Sequence, residues 1–136
     1  MVIRIAAALC AVMSGLSWSV TWSDQPSSLA QAHAHNDYLH DRPLLDALEQ
    51  GFCSVEADIF LVDGQLLVAH TRRELNPDRT LEKLYLDPLR QRVKQNNGSV
   101  HGDGRRFTLL IDIKADGAKT YAVLNRLLSH YKDVFS

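Results

Sequence analysis

The chain has 136 residues, 46% of them hydrophobic and 23% charged, and its 15 Lys and Arg against 16 Asp and Glu leave a formal net charge of −1. That balance excludes a disordered, charge-rich tail and a strongly basic nucleic-acid binder. The apolar residues are unevenly spread, because Arg4 is the only charged residue between Met1 and Ser23.

Arg4 supplies a positive start, Ile5 to Leu16 is an apolar run, and the small residues Ser17 and Ser19 follow. This is the pattern of a secretory signal peptide over residues 1–23. The run is shorter than the ~20 apolar residues of a membrane-spanning helix. Cleavage between Trp18 and Ser23 removes Arg4 and sends a mildly acidic remainder to the cell envelope or the exterior. Left uncut, Trp18 and Trp22 are placed to anchor a peripheral membrane contact. Of the two cysteines, Cys10 goes with the leader, so Cys53 is left without a partner for an intramolecular disulfide and reads as a buried small hydrophobe.

A polar linker, residues 24–31, precedes a domain spanning residues 32–136. Ala32 to Asn36 reads as a strand end opening into a loop. Asp41 is placed as an N-cap, Pro43 fits the first helical turn, Leu44, Leu45 and Leu48 form an apolar face, and Gly51 stops the helix. Ser54 to Val62 alternates as a strand, with Val55, Ala57, Ile59 and Leu61 on one face and Glu56, Asp58 and Phe60 on the other. Asp63-Gly64 is a hairpin signal, and Gln65 to Ala69 returns to deliver His70. Asp87-Pro88 is expected to open a second helix ending by Gly98. Phe107 to Ile113 is a third strand, with Asp112 facing the same way as Lys114. Tyr121, Leu124, Leu128, Tyr131 and Phe135 then recur at helical spacing.

Strands alternating with helices predict an α/β fold, and carboxylates at strand ends suit the mouth of a (β/α)8 TIM barrel. Such a barrel takes ~250 residues. The expectation is therefore the N-terminal part of a barrel, incomplete in this chain, with open strand edges.

The chemistry-bearing residues run His33-Ala-His35-Asn36-Asp37, Glu56-Ala-Asp58, Asp63-Gly64, His70 and Asp112-Ile-Lys114. Glu56 and Asp58, two apart on one strand, can hold a hard cation such as Mg²⁺ or Ca²⁺ through oxygen, with Asp112 completing the set. Two histidines, one from the first strand and one after the hairpin, can divide acid and base work. Lys114 can offset charge building on a phosphate.

This order of motifs resembles the superfamily of glycerophosphodiester phosphodiesterases, phosphatidylinositol-specific phospholipases C and sphingomyelinase D toxins. The stretches HAHNDY, SVEADIFL, LLVAHTRREL, RTLEKLYLDPL and LLIDIK look closer still to its branch named for altered inheritance of mitochondria. The resemblance implies a TIM-barrel phosphoric diester hydrolase with one divalent cation. It makes His35 and His70 the acid/base pair and Glu56, Asp58 and Asp112 the metal ligands, and leaves His33 as an alternative to His35. The substrate implied is a small-molecule or phospholipid phosphodiester, whose own neighbouring hydroxyl attacks phosphorus to give a cyclic phosphate. Asn36 stands where the phosphodiesterases usually carry Arg and takes the phosphate-contact position beside Lys114. No Glu-Asn-Thr follows the first His, and Thr71 replaces the Asp that usually follows the second.

Two other readings use the same residues. His33-x-His35 at a strand end also resembles the zinc site of amidohydrolase barrels, although His101 and His130 are poorly placed to complete it. A secreted domain that binds a phospholipid headgroup or a partner without turnover predicts the same folded positions.

Overall fold

The computed structural model describes residues 28–135. The leader assigned to residues 1–23 lies outside the described residues. Of the linker, residues 28–31 are described, and Leu29 forms a parallel bridge with Phe52.

Strand β1, Ser54–Val62, is the centre of a three-stranded sheet of order β2-β1-β3. β2, Gln65–Val68, is antiparallel to β1, with Ile59 opposite Val68 and Val62 opposite Gln65. β3, Thr108–Ile113, is parallel to β1 and pairs Glu56 with Leu110 and Asp58 with Asp112. Both faces of β1 are buried through its middle, Glu56 and Asp58 included. The fold is a mixed α/β unit, and this sheet is open.

Asp63 (φ 48°) and Gly64 (φ 83°) both take the left-handed region, which is what a two-residue type I′ turn needs. A Cβ added at Gly64 meets nothing within 4 Å, so the cost of replacing it is conformational alone. Gly64→Ala is expected to lower stability by about 1 kcal/mol. The check is a lower urea midpoint with an unchanged denaturant slope.

The first strand is shorter than the sequence suggests. Only Ala34 is bridged to β1, its N–H donating to the Ser54 carbonyl (2.9 Å) and its carbonyl accepting from the Glu56 N–H (3.0 Å). Asn36, at φ 52°, then turns the chain away, and β2 takes over the same edge of β1 further along.

Helix α1 is Leu45–Glu49 and is not capped by Asp41. Leu44, at φ 65°, precedes it, and its N–H donates to the buried Asp37 Oδ2 at 2.6 Å. The carboxylate that organises this turn thus comes from seven residues upstream. Asp87-Pro88 opens the second α-helix, as expected, but a helical path already leads into it. The helical path opens after Thr80, whose Oγ1 accepts the Lys83 N–H (3.2 Å), and runs through a π turn, Glu82–Leu86, into α2, Asp87–Gln95. Proline has no N–H and its ring crowds the carbonyl four residues back. The wider π register, with the Asp87 N–H reaching Glu82 O, admits Pro88 without a break.

Helix α3, Gly117–Leu128, continues into a 3-10 turn at Ser129–Tyr131. Its inward positions are Thr120, Leu124 and Tyr131, whereas Tyr121 is 62% exposed. The expected stripe is therefore offset by one residue at its start. These helices cover the Val55, Ala57 and Ile59 face, where Leu48, Leu81, Tyr85, Leu89 and Leu124 complete the core. The opposite face carries Glu56, Asp58 and Asp112. Its Leu110 is 48% exposed. Cys53 is buried, as expected for a small hydrophobe. No helix among the described residues is long and apolar enough to cross a membrane.

Candidate active site

Glu56, Asp58, Asp112, Lys114, His35 and His70 meet on the sheet face opposite the helices of the core, with Glu56 and Asp58 in the first half and middle of β1 and Asp112 near the C-terminal end of β3. Glu56 and Asp58 lie two apart on β1 and therefore project together, and parallel register sets Asp112 beside Asp58. One carboxylate oxygen from each of Glu56, Asp58 and Asp112 lies within 4.8 Å of the others. Such like-charged neighbours need a cation between them. Lys114 supplies one, with Nζ 2.8 Å from Asp58 Oδ2 and 2.7 Å from Asp112 Oδ2.

His35 and His70 reach this cluster from two sides. His35 Nδ1 is 2.5 Å from Glu56 Oε2, and His70 Nδ1 is 3.2 Å from Asp58 Oδ2. His33 is brought to a different partner, its Nδ1 lying 2.8 Å from Ser54 Oγ. The Asn36 N–H donates to Glu56 Oε2 (3.0 Å), and Asn36 Oδ1 accepts from the Tyr38 hydroxyl (2.7 Å). Asn36 thus braces the site through its backbone.

Tyr38 escaped the sequence reading. Its ring is buried, and its hydroxyl lies 2.6 Å from Asp58 Oδ2 and 3.0 Å from His70 Nδ1 as well as on Asn36. It ties one carboxylate, one imidazole and the turn after the first strand into one network. The signal available was an aromatic hydroxyl directly after His-Asn-Asp, in a stretch with no apolar periodicity to claim it.

Burial would raise the Asp58 carboxyl, but hydrogen bonds from Lys114, Tyr38 and His70 outweigh it and hold the group below its ordinary value. Bonds to Asp112 and Asp58 push the Lys114 ammonium up, so it stays charged. Burial, then the bond to Asp58, raises the Tyr38 phenol, which remains a proton donor at neutral pH. The site at neutral pH combines the ionised Asp58 carboxylate, the fixed Lys114 ammonium and two imidazoles that are half or more exposed.

A hard divalent cation fits this donor set. Carboxylate oxygens are its preferred ligands, and Asp58 Oδ1 is buried with no hydrogen-bond partner among the described residues. Glu56, Asp58 and Asp112 are the residues that would hold it.

Beside His70 an open cleft of about 330 Å³ is lined by Tyr38, His40, Val68, Glu74 and Arg79, among others. A larger hollow of about 500 Å³, bordered by Val93, Arg106, Phe107 and Phe135, lies at the opposite end of β3, away from these groups. The smaller cleft is the one that adjoins the chemistry.

Residues 27–134 match the family model described as the AIM6-like phosphodiesterase domain. The chain belongs to that family. It is 34% identical over 120 residues to an altered inheritance of mitochondria protein 6 homolog of Arthroderma benhamiae, covering 74% of this chain and 38% of that protein. It is 38% identical over 109 residues to altered inheritance of mitochondria protein 6 of Lachancea thermotolerans, covering 69% of this chain and 25% of that one. With the protein of the same name from Saccharomyces cerevisiae YJM789 it shares 40% identity over 67 residues, 48% of this chain and 17% of that protein. The chain thus spans well under half the length of these relatives. No solved structure matches it.

Proposed function

We propose that this domain is the first part of a TIM-barrel phosphodiesterase that hydrolyses phosphodiesters with one divalent cation and a two-histidine mechanism. One observation carries the reading: His35 on Glu56 and His70 on Asp58 flank a three-carboxylate cluster on the sheet face opposite the helices of the core. In a barrel that face is the interior, and its C-terminal rim is where chemistry is done. The half-exposed Leu110, the edge of β3 that is unpaired among the described residues and the greater length of the relatives support a sheet continued by further strands.

Bound at Glu56, Asp58 and Asp112, Mg²⁺ or Ca²⁺ would supply Lewis-acid polarisation of a phosphoryl oxygen. One imidazole takes the proton of the attacking hydroxyl as its oxygen bonds to phosphorus. The other gives a proton to the leaving oxygen as the old P–O bond breaks. Lys114 offsets negative charge on the phosphate, and Asn36 is the second residue assigned to phosphate contact. When the nucleophile is the substrate's own neighbouring hydroxyl, the product is a cyclic phosphate, which water can open by the same exchange run in reverse. The leader expected over residues 1–23 supports action outside the cytoplasm, on a small-molecule or phospholipid phosphodiester.

The test is hydrolysis of bis(p-nitrophenyl) phosphate and of lysophospholipid micelles, with Mg²⁺ or Ca²⁺, by the full-length protein that carries this domain. Turnover is expected to vanish on chelation with EDTA and to return with the cation. Cation binding with no turnover on either substrate would mean a binding domain and sink the enzymatic reading.

A further inference from the structure

We infer that His33, His35 and Glu56 form a second metal site, selective for a transition-metal ion of the zinc type over Mg²⁺ or Ca²⁺. The backbone register builds it. Ala34 is bridged between Ser54 and Glu56, so its neighbours His33 and His35 both project to the face that carries those two side chains. One donor atom from each of His33, His35 and Glu56 lies within 4.8 Å of the others. Tetrahedral bonds of 2.0–2.1 Å need donors about 3.4 Å apart; His35 Nδ1, 2.5 Å from Glu56 Oε2, has to draw back to reach that spacing, and both imidazoles are exposed, with room to turn. Ser54 Oγ, 2.8 Å from His33 Nδ1, anchors one ring from outside, as partners of metal-bound imidazoles commonly do.

Ligand chemistry separates this set from its neighbour. Glu56, Asp58 and Asp112 offer only carboxylates, which suit hard cations. Two imidazoles with one carboxylate suit zinc, with a fourth position left to water. The sites share Glu56, and the second consumes His35. On the phosphodiesterase reading, zinc would therefore block turnover by occupying an acid/base imidazole, which makes the site regulatory. The binding itself does not depend on that reading.

Calorimetric titration of the full chain with Zn²⁺ and, separately, Mg²⁺ tests the inference. One zinc per chain is expected, weakened tenfold or more in His33→Ala and His33→Gln, with Mg²⁺ binding unchanged in both. Asp112→Asn is expected to do the reverse. On the unsubstituted chain, Co²⁺ should give the intense visible absorption of a tetrahedral site with nitrogen ligands, and Zn²⁺ should erase it. Zinc binding that survives both His33 variants, or is lost in Asp112→Asn instead, overturns the site, as does a weak octahedral Co²⁺ spectrum. Failure of Mg²⁺-dependent hydrolysis would leave these results standing and would count against the enzymatic reading alone.

Discussion

Replacing His70 or His35 by Ala is expected to lower phosphodiester turnover by about 10²- to 10⁴-fold each, the usual contribution of a positioned acid or base. The two losses should not multiply in the double variant, because acid and base act in one concerted transfer. The geometry distinguishes the partners. His70 Nδ1 faces both Asp58 Oδ2 and the Tyr38 hydroxyl, which leaves Nε2 to exchange a proton with substrate. His35 has Nδ1 on Glu56 alone and is 72% exposed at its side chain, so its ring is less constrained. Tyr38→Phe removes only the hydroxyl that orients His70, and a loss smaller than that of His70→Ala is expected. The measurement is kcat under saturating Mg²⁺, with cation binding followed in parallel. A His70→Ala enzyme within threefold of the parent would remove His70 from the mechanism.

How far the sequence anticipates this site depends on the range of the forces involved. β1 and the hairpin are legible because alternation and the Asp63-Gly64 turn are local, and the structure places β1 over the expected Ser54–Val62. Lys114 and Asp112 are legible for the same reason: once β3 is a strand, side chains two apart share a face. The helix starts are harder. Leu44 takes a left-handed conformation because a carboxylate seven residues away binds its N–H, which no local capping rule can see, and Asp41 attracts the assignment instead. Asp87-Pro88 does open α2, but the π turn that leads into it depends on packing of Tyr85 and Leu86 into the core, which no local signal shows. Tyr38 is invisible for a third reason. Its role exists only where the turn after Ala34, the middle of β1 and the end of the hairpin converge, and none of these is near it in sequence beyond Asn36.

The stability of that turn rests on Asp37, and Asp37→Ala is expected to destabilise the domain by about 2–4 kcal/mol. Asp37 is fully buried, and its Oδ2 accepts the Leu44 N–H (2.6 Å) and the Tyr85 hydroxyl (2.9 Å). Truncation leaves two buried donors without an acceptor, each costing about 1–3 kcal/mol. A domain stable by about 5–15 kcal/mol would lose a substantial fraction. The charge itself carries the opposite sign. Burial raises the Asp37 carboxyl above its ordinary 3.8, more than the bonds from Leu44 and Tyr85 lower it. The folded state therefore holds this proton more tightly than the unfolded chain does. Its favourable contribution is complete below the unfolded value and is lost as pH rises through the folded one. Asp37→Asn keeps an oxygen for both donors and has no charge to bury, so it should recover most of the stability lost in Asp37→Ala. The difference between parent and Asn variant should move in the variant's favour as pH rises from about 4 to 7. Urea midpoints across that range decide it: an Asp37→Ala variant within 0.5 kcal/mol of the parent, or an Asn variant no better than Ala, would show that Leu44 and Tyr85 do not depend on this carboxylate. Because Tyr38 is the next residue, loosening Asp37 should also release the hydroxyl from Asp58 and His70. The fold and the site are therefore coupled through a single turn, and Asp37→Ala is expected to lose turnover at pH values where it is still folded.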